Sequence, residues 1–206
     1  TMTLPGRLLL AFAAFALSAT AQARDIAVTI RADAGHPVED AVVTLAAPAR
    51  APAPGHFTIS QKNTMFMPFV LVIPVGSTVD FTNLDPFRHH VYSFSPAKKF
   101  ELKLFGQGEK RAVTFDKAGI VALGCNIHDS MQAFIQVVDT PFAAKSGKDG
   151  RVVLRGAPAG ALKLTVWHPH LRAPGNQVTV AAPAGGDVSL PVSVKLRRPA
   201  PMSHDY

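Results

Sequence analysis

At 206 residues, the chain is long enough for one large domain or two small ones. Its formal charge is a mild +7, with Lys98-Lys99, Lys103, Lys110-Arg111, Lys195, Arg197 and Arg198 carrying much of the surplus and no dense basic tract interleaved with aromatics. That argues against nucleic acid and favours electrostatic steering toward an acidic protein partner.

The chain opens on a segment that does not read as part of a fold. Arg7 supplies a small positive region, Leu8 to Leu17 is a short apolar run, and Ala21-Gln22-Ala23 is a small-residue cleavage pattern. Together these predict that residues 1–23 are a secretory signal peptide and that the protein is exported, with the periplasm as the expected compartment. The apolar run is too short to span a bilayer, and no other stretch predicts a transmembrane helix. A lipid anchor would need a cysteine near the cleavage point, and there is none.

After this segment the sequence shows no strong helical period. Short alternating or β-branched runs are separated by Gly, Pro, Asn and Asp. They cover 25–31, 41–45, 70–73, 78–82, 90–94, 112–115, 119–123, 133–138, 151–154, 162–167, 177–180 and 188–196. This spacing predicts an all-β sandwich architecture. Two composition shifts mark boundaries, the Pro/Ala-rich linker Ala46 to Gly55 and the break Thr140 to Asp149. Residues 56–139 then have the size of a small β-barrel. Residues 24–50 and 141–198 read as two parts of one further sandwich, into which the barrel is inserted. Residues 199–206 are expected to be a disordered tail.

Cys125 is the one cysteine of the chain. A lone thiol in an oxidising compartment invites oxidation unless something protects it. Its surroundings suggest what does. Gly124 to Met131 reads G-C-N-I-H-D-S-M, a Cys-x2-His-x2-Met spacing directly after an apolar strand. Three donor side chains on so tight a loop can converge on one ion. A second His must come from elsewhere, and His89-His90, after the turn Asp85-Pro86, offers it. Neighbours in a strand face opposite ways, so only one of the two can reach the metal. Two imidazoles and a thiolate in a plane, with a weak thioether on the axis, make a blue-copper electron-transfer site. A protease dyad would lack a third, orienting group. Zinc would be poorly served by Met with no second Cys. Met131 could instead be core packing. Met65 and Met67 read as packing or as an apolar surface, with a thioether-rich Cu(I) site as the alternative. Trp167-His168-Pro169-His170 reads as a turn with exposed His.

These residues carry a resemblance. Phe87-Arg88-His89-His90-Val91 resembles the F-x-H-N-V element of the cupredoxins, and Cys125 to Met131 is similar to their ligand loop, with amicyanin-like spacing. Val70 to Asn83 is similar to the strand pair that precedes their first ligand. The resemblance implies a Greek-key β-barrel with one type 1 copper held by His89, Cys125, His128 and Met131. It also implies electron transfer with a redox protein partner, and no enzyme activity. The flanks, G-H-P-V-E-D-A-V-V-T-L and D-G-R-V-V-L-R-G-A-P-A-G-A-L-K-L-T-V-W, resemble the carboxypeptidase-regulatory-like (transthyretin-like) sandwich. The whole arrangement resembles bacterial periplasmic proteins loosely named methylamine-utilization proteins.

Three positions depart from the cupredoxin pattern. His90 stands where Asn usually ties the ligand loops together. Gly124 replaces the aromatic that plastocyanin places beside Cys, removing a lateral electron route. Asp129 follows the second His, where amicyanin has Pro. Two rival functions remain: copper delivery or storage, and an adhesion or scaffold role for the flanking sandwich.

Overall fold

The computed structural model describes residues 23–185 and 187–197, so the expected signal peptide, apart from Ala23, and the expected tail at 199–206 lie outside the described residues. The strands, in chain order, are β1 (Arg24–Ala32), β2 (Val42–Leu45), β3 (His56–Lys62), β4 (Met65–Met67), β5 (Val70–Pro74) and β6 (Ser77–Asn83). There follow β7 (His89–Ser95), β8 (Lys98–Phe105), β9 (Lys110–Phe115), β10 (Gly119–Gly124) and β11 (Gln132–Val138). The last are β12 (Ala143–Lys145), β13 (Arg151–Ala157), β14 (Leu162–Trp167), β15 (Gln177–Ala182) and β16 (Val188–Val194). Among the described residues there is no α-helix, and the all-β expectation holds.

The strands form four sheets. One pair of sheets has the orders β13-β1-β16 and β12-β2-β14-β15; the other has β5-β11-β10-β7-β8 and β4-β3-β6-β9. Each pair encloses its own apolar core. Alternation explains why: in β1 one face (Ile26, Val28, Ile30) is fully buried while Asp25, Ala27 and Thr29 between them are half-exposed. We call the first pair the flanking sandwich, with a core of Ile26, Val28, Ile30, Leu154 and Leu164 among others. The second pair is the central sandwich, with Ile59, Val79, Phe81, Phe105, Phe115 and Ile135.

A smaller cluster joins the two. Val42 and Trp167 of the flanking sandwich pack with Val70, Phe69, Val72, Ile120 and Phe134 of the central one. The Phe134 ring meets Phe69 edge-on at 5.6 Å and Trp167 edge-on at 5.7 Å. His170 stacks on Phe69 at 5.8 Å. His168 is buried and His170 half-buried, so the expected exposed turn is instead part of this contact region.

Four strands lie outside the runs read from the sequence: β3, β4, β8 and β12. In β8 the local signal is nonetheless present, since Phe100, Leu102 and Leu104 alternate with Lys99, Glu101 and Lys103. Its run K-K-F-E-L-K-L-F is half charged, and its register against β7 shifts, from His89↔Phe105 to Val91↔Leu102. Two steps on β7 oppose three on β8, so β8 carries a bulge. The bulge puts both Leu102 and Phe105 on the core side, which strict alternation forbids. Strand β12 lies within the expected break at 140–149, as an edge strand on β2.

Candidate metal centre

The segments that carry the candidate ligands leave the same end of the central sandwich. His89 opens β7, and Cys125 to Met131 is the loop between β10 and β11. Strands β10 and β11 are tightly paired from Gly119↔Val137 to Gly124↔Gln132, which pins both ends of that loop. Inside it the Met131 N–H donates to the His128 carbonyl at 2.9 Å, closing a turn. Strand β7 meets β10 at Tyr92↔Gly124, which brings the two segments side by side.

The structure brings His89, Cys125 and His128 together, with one donor atom from each within 4.8 Å of the others. His89 Nδ1 lies 4.0 Å from Cys125 Sγ. The His89 and His128 rings are 5.2 Å apart. Met131 sits in the same buried cluster as Cys125, with 1% of its surface exposed. His90 takes no part. It points to the other face of β7, where its Nε2 lies 3.0 Å from Glu101 Oε1 and its ring tilts against Tyr92.

Two observations test whether a metal suits this group. His128 Nδ1 is buried and has no hydrogen-bond partner. A buried nitrogen with nothing to bind is costly unless something else occupies its lone pair. Second, burial and then the neighbouring His89 push the His128 imidazole toward its neutral form, against Asp85. A neutral imidazole is the form a metal takes. The donor set, one thiol, two imidazoles and a nearby thioether, suits copper.

No family model matches the chain, and no curated protein matches it. Among solved structures, a copper-containing nitrite reductase from Thermus scotoductus SA-01 is 32% identical over 47% of this chain, with a TM-score of 0.40. The match spans only 25% of that reductase. A purple cupredoxin from Nitrosopumilus maritimus is 24% identical over 39% of this chain and 98% of its own, with a TM-score of 0.36. A reduced amicyanin variant is 19% identical over 47% of this chain and 98% of its own, at 0.39. At these TM-scores the reading rests on the geometry of the site itself.

That geometry includes residues the sequence reading did not single out. Asp85, read only as part of a turn, is buried, and its Oδ2 lies 2.8 Å from His89 Nε2. Burial works to raise its pKa, but hydrogen bonds from His89, Thr64 and Asn63 hold the carboxyl below the usual range. Asn83, fully buried, donates to the carbonyls of Phe87 at 2.7 Å and Phe105 at 3.0 Å, so it ties down the segment leading into His89. The x-N-L-D-P turn pattern was the available signal, since Asn and Asp before Pro commonly bond local backbone.

Gly124 also gains a reason. A Cβ built there would stand 2.7 Å from Cζ and Oη of Tyr92. The Tyr92 ring therefore occupies the space beside Gly124, so an aromatic does lie next to the Cys125 segment, supplied by the neighbouring strand. Tyr92, Phe94, Cys125, Asp129, Met131 and Gln132 are among the residues lining an adjoining groove of about 510 Å³. At the other side, Phe87 packs edge-on to His89 at 5.1 Å and against His128 at 5.6 Å while 43% exposed. Met65 and Met67 are both about half exposed, with buried Phe66 between them, so neither is core packing.

Proposed function

We propose that the chain is a type 1 copper protein, exported to the periplasm, which carries single electrons between redox partners and is not itself an enzyme. The observation that carries this is the convergence of His89, Cys125 and His128 donor atoms within 4.8 Å. Copper, when bound, supplies the one-electron couple between Cu(I) and Cu(II). Cys125 would hold it as thiolate, His89 and His128 through neutral imidazoles, and Met131 through its thioether. Four donors leave no position for a substrate, which supports a carrier rather than a catalyst.

The protein's part in transfer is to hold these side chains still and to offer a contact surface. His128 is the one partly exposed member of the three. Exposed Phe87 lies against it, and Ile127 beside it in the loop is 47% exposed. Exposed Arg88 adds positive charge next to Phe87. A small apolar surface edged by Arg88 suits brief encounters with a redox protein. Export is supported by the signal-like pattern of residues 1–23.

The test is the visible and EPR spectrum of the copper-loaded chain. Wild type is expected to show an intense thiolate-to-copper band, lost in Cys125→Ser and strongly perturbed in His128→Ala. A Cu(II)-loaded wild type without the band, or a band surviving Cys125→Ser, sinks the reading.

Copper delivery is a second reading, favoured by the exposed Met65 and Met67 pair. It predicts that Met65→Leu/Met67→Leu slows handover of Cu(I) to a chelating acceptor without altering the visible spectrum. An unchanged handover rate would remove it.

A further inference from the structure

Asp85 is 4% exposed and the His89 it meets is fully buried. Its carboxylate accepts three hydrogen-bonding contacts. The Asn63 N–H reaches Oδ1 at 2.7 Å and the Thr64 N–H reaches Oδ2 at 3.1 Å. His89 Nε2 also faces Oδ2, at 2.8 Å. Asn63 and Thr64 have φ of 53° and 56°, so the β3–β4 turn presents two successive amides to one carboxylate. On the other side the Asp85 N–H donates to Asn83 Oδ1 at 2.9 Å. Asn83 is itself fixed by the Phe87 and Phe105 carbonyls. The carboxylate is thus held against the imidazole by the turn amides, while Asn83 fixes the Asp85 backbone.

An ionised carboxylate only accepts hydrogen bonds. His89 must therefore donate through Nε2–H, which leaves the lone pair on Nδ1. Nδ1 is the atom that lies 4.0 Å from Cys125 Sγ. We infer that Asp85 is a positioning residue for the metal centre: it locks His89 into the Nε2–H tautomer, aims Nδ1 at the metal, and uses its charge to favour the more highly charged metal state.

This rests on the copper reading above. The physical basis is general. A carboxylate on the far nitrogen of a ligating imidazole fixes the ring and raises its basicity, and removing such a partner typically costs about 10–100-fold in metal affinity. A stronger donor and a nearby negative charge both stabilise Cu(II) more than Cu(I), so Asp85 would lower the reduction potential. The sequence gives no hint of this beyond a turn, because the pairing needs the β3–β4 turn, which is distant in the chain.

The test has two arms on the full chain. The first is nitrogen NMR of the metal-free wild type, which reports which His89 nitrogen carries the proton. The expected result is protonated Nε2 and bare Nδ1. The second compares copper-loaded wild type with Asp85→Asn, the neutral isostere. Cu(II) affinity is expected to fall about 10–100-fold, with much less change for Cu(I), and the reduction potential to rise. Asp85→Glu should recover part of the difference. A role confined to anchoring the turn would weaken both oxidation states alike and leave the potential where it was. A proton on His89 Nδ1, or an unchanged potential in Asp85→Asn, overturns the inference. The first arm needs no variant, so it decides even if Asp85→Asn fails to fold. Wild type lacking the thiolate band would instead overturn the copper reading while leaving the tautomer result intact.

Discussion

His89 and His90 are adjacent residues of the same type, and the fold gives them different tasks. Strand alternation sends His89 inward to Cys125 and His128, and His90 outward to Glu101 and Tyr92. The expected outcome is sharp. His89→Ala should lose or grossly alter the thiolate-to-copper band, while His90→Ala should keep its position and intensity; optical spectra of the two copper-loaded variants check it. Gly124 shows the same dependence on surroundings. The residue was read as a missing aromatic, yet its lack of a side chain is what lets Tyr92 lie beside the Cys125 segment.

Single strands and turns set further properties. The segment after β14 buries His168, whose Nδ1 accepts the His170 N–H at 3.2 Å. Burial, and then the neighbouring His170, lower its pKa from 6.5 to about 4, against the opposing charge of Asp40. The folded protein therefore holds His168 neutral where the unfolded chain would protonate it. Above about pH 6.5 both states are neutral and nothing is lost. As pH falls from there toward 4 the unfolded state binds the extra proton, so stability declines, by at most on the order of 3 kcal/mol. Denaturant midpoints at pH 7 and pH 4.5 should show this loss, and His168→Gln should remove that part of it. In the turn before β13, Gly150 has φ of 74°, and a Cβ there would stand 2.4 Å from the Ile30 carbonyl oxygen. Gly150→Ala should cost about 3 kcal/mol, because both the conformation and the backbone contact oppose it. Thermal unfolding of the variant measures it.

At the scale of the whole molecule, the two sandwiches meet through a small apolar cluster and its aromatic rings. Trp167 is 4% exposed and sits against Phe134 of the central sandwich. Trp167→Ala should cost about 3–5 kcal/mol and separate the unfolding of the two sandwiches into distinguishable transitions, while the copper spectrum stays as in wild type. Calorimetry alongside the visible spectrum tests both parts. The candidate metal centre lies at the end of the central sandwich where β7 and the β10–β11 loop converge, and none of His89, Cys125 and His128 belongs to this contact cluster.

By itself the sequence determined the all-β character and pointed to the loop of Cys125, His128 and Met131 as a candidate ligand loop, and the reason is locality. Alternation within a strand, as in Asp25 to Arg31, and the spacing of Cys125, His128 and Met131 are written over a few residues. What the chain could not settle alone depends on partners far along it. The choice of His89 over His90 depends on which face of β7 the core occupies. Strand β8 is written locally, since Phe100, Leu102 and Leu104 alternate with Lys99, Glu101 and Lys103, but the bulge that turns Phe105 into the core is not. Asp85 reads as an ordinary turn former until the β3–β4 turn delivers the Asn63 and Thr64 amides to it. Tyr92 fills the place at Gly124 only because two strands pair there. Each of these is a contact between distant segments, and such contacts exist only once the sheets have closed.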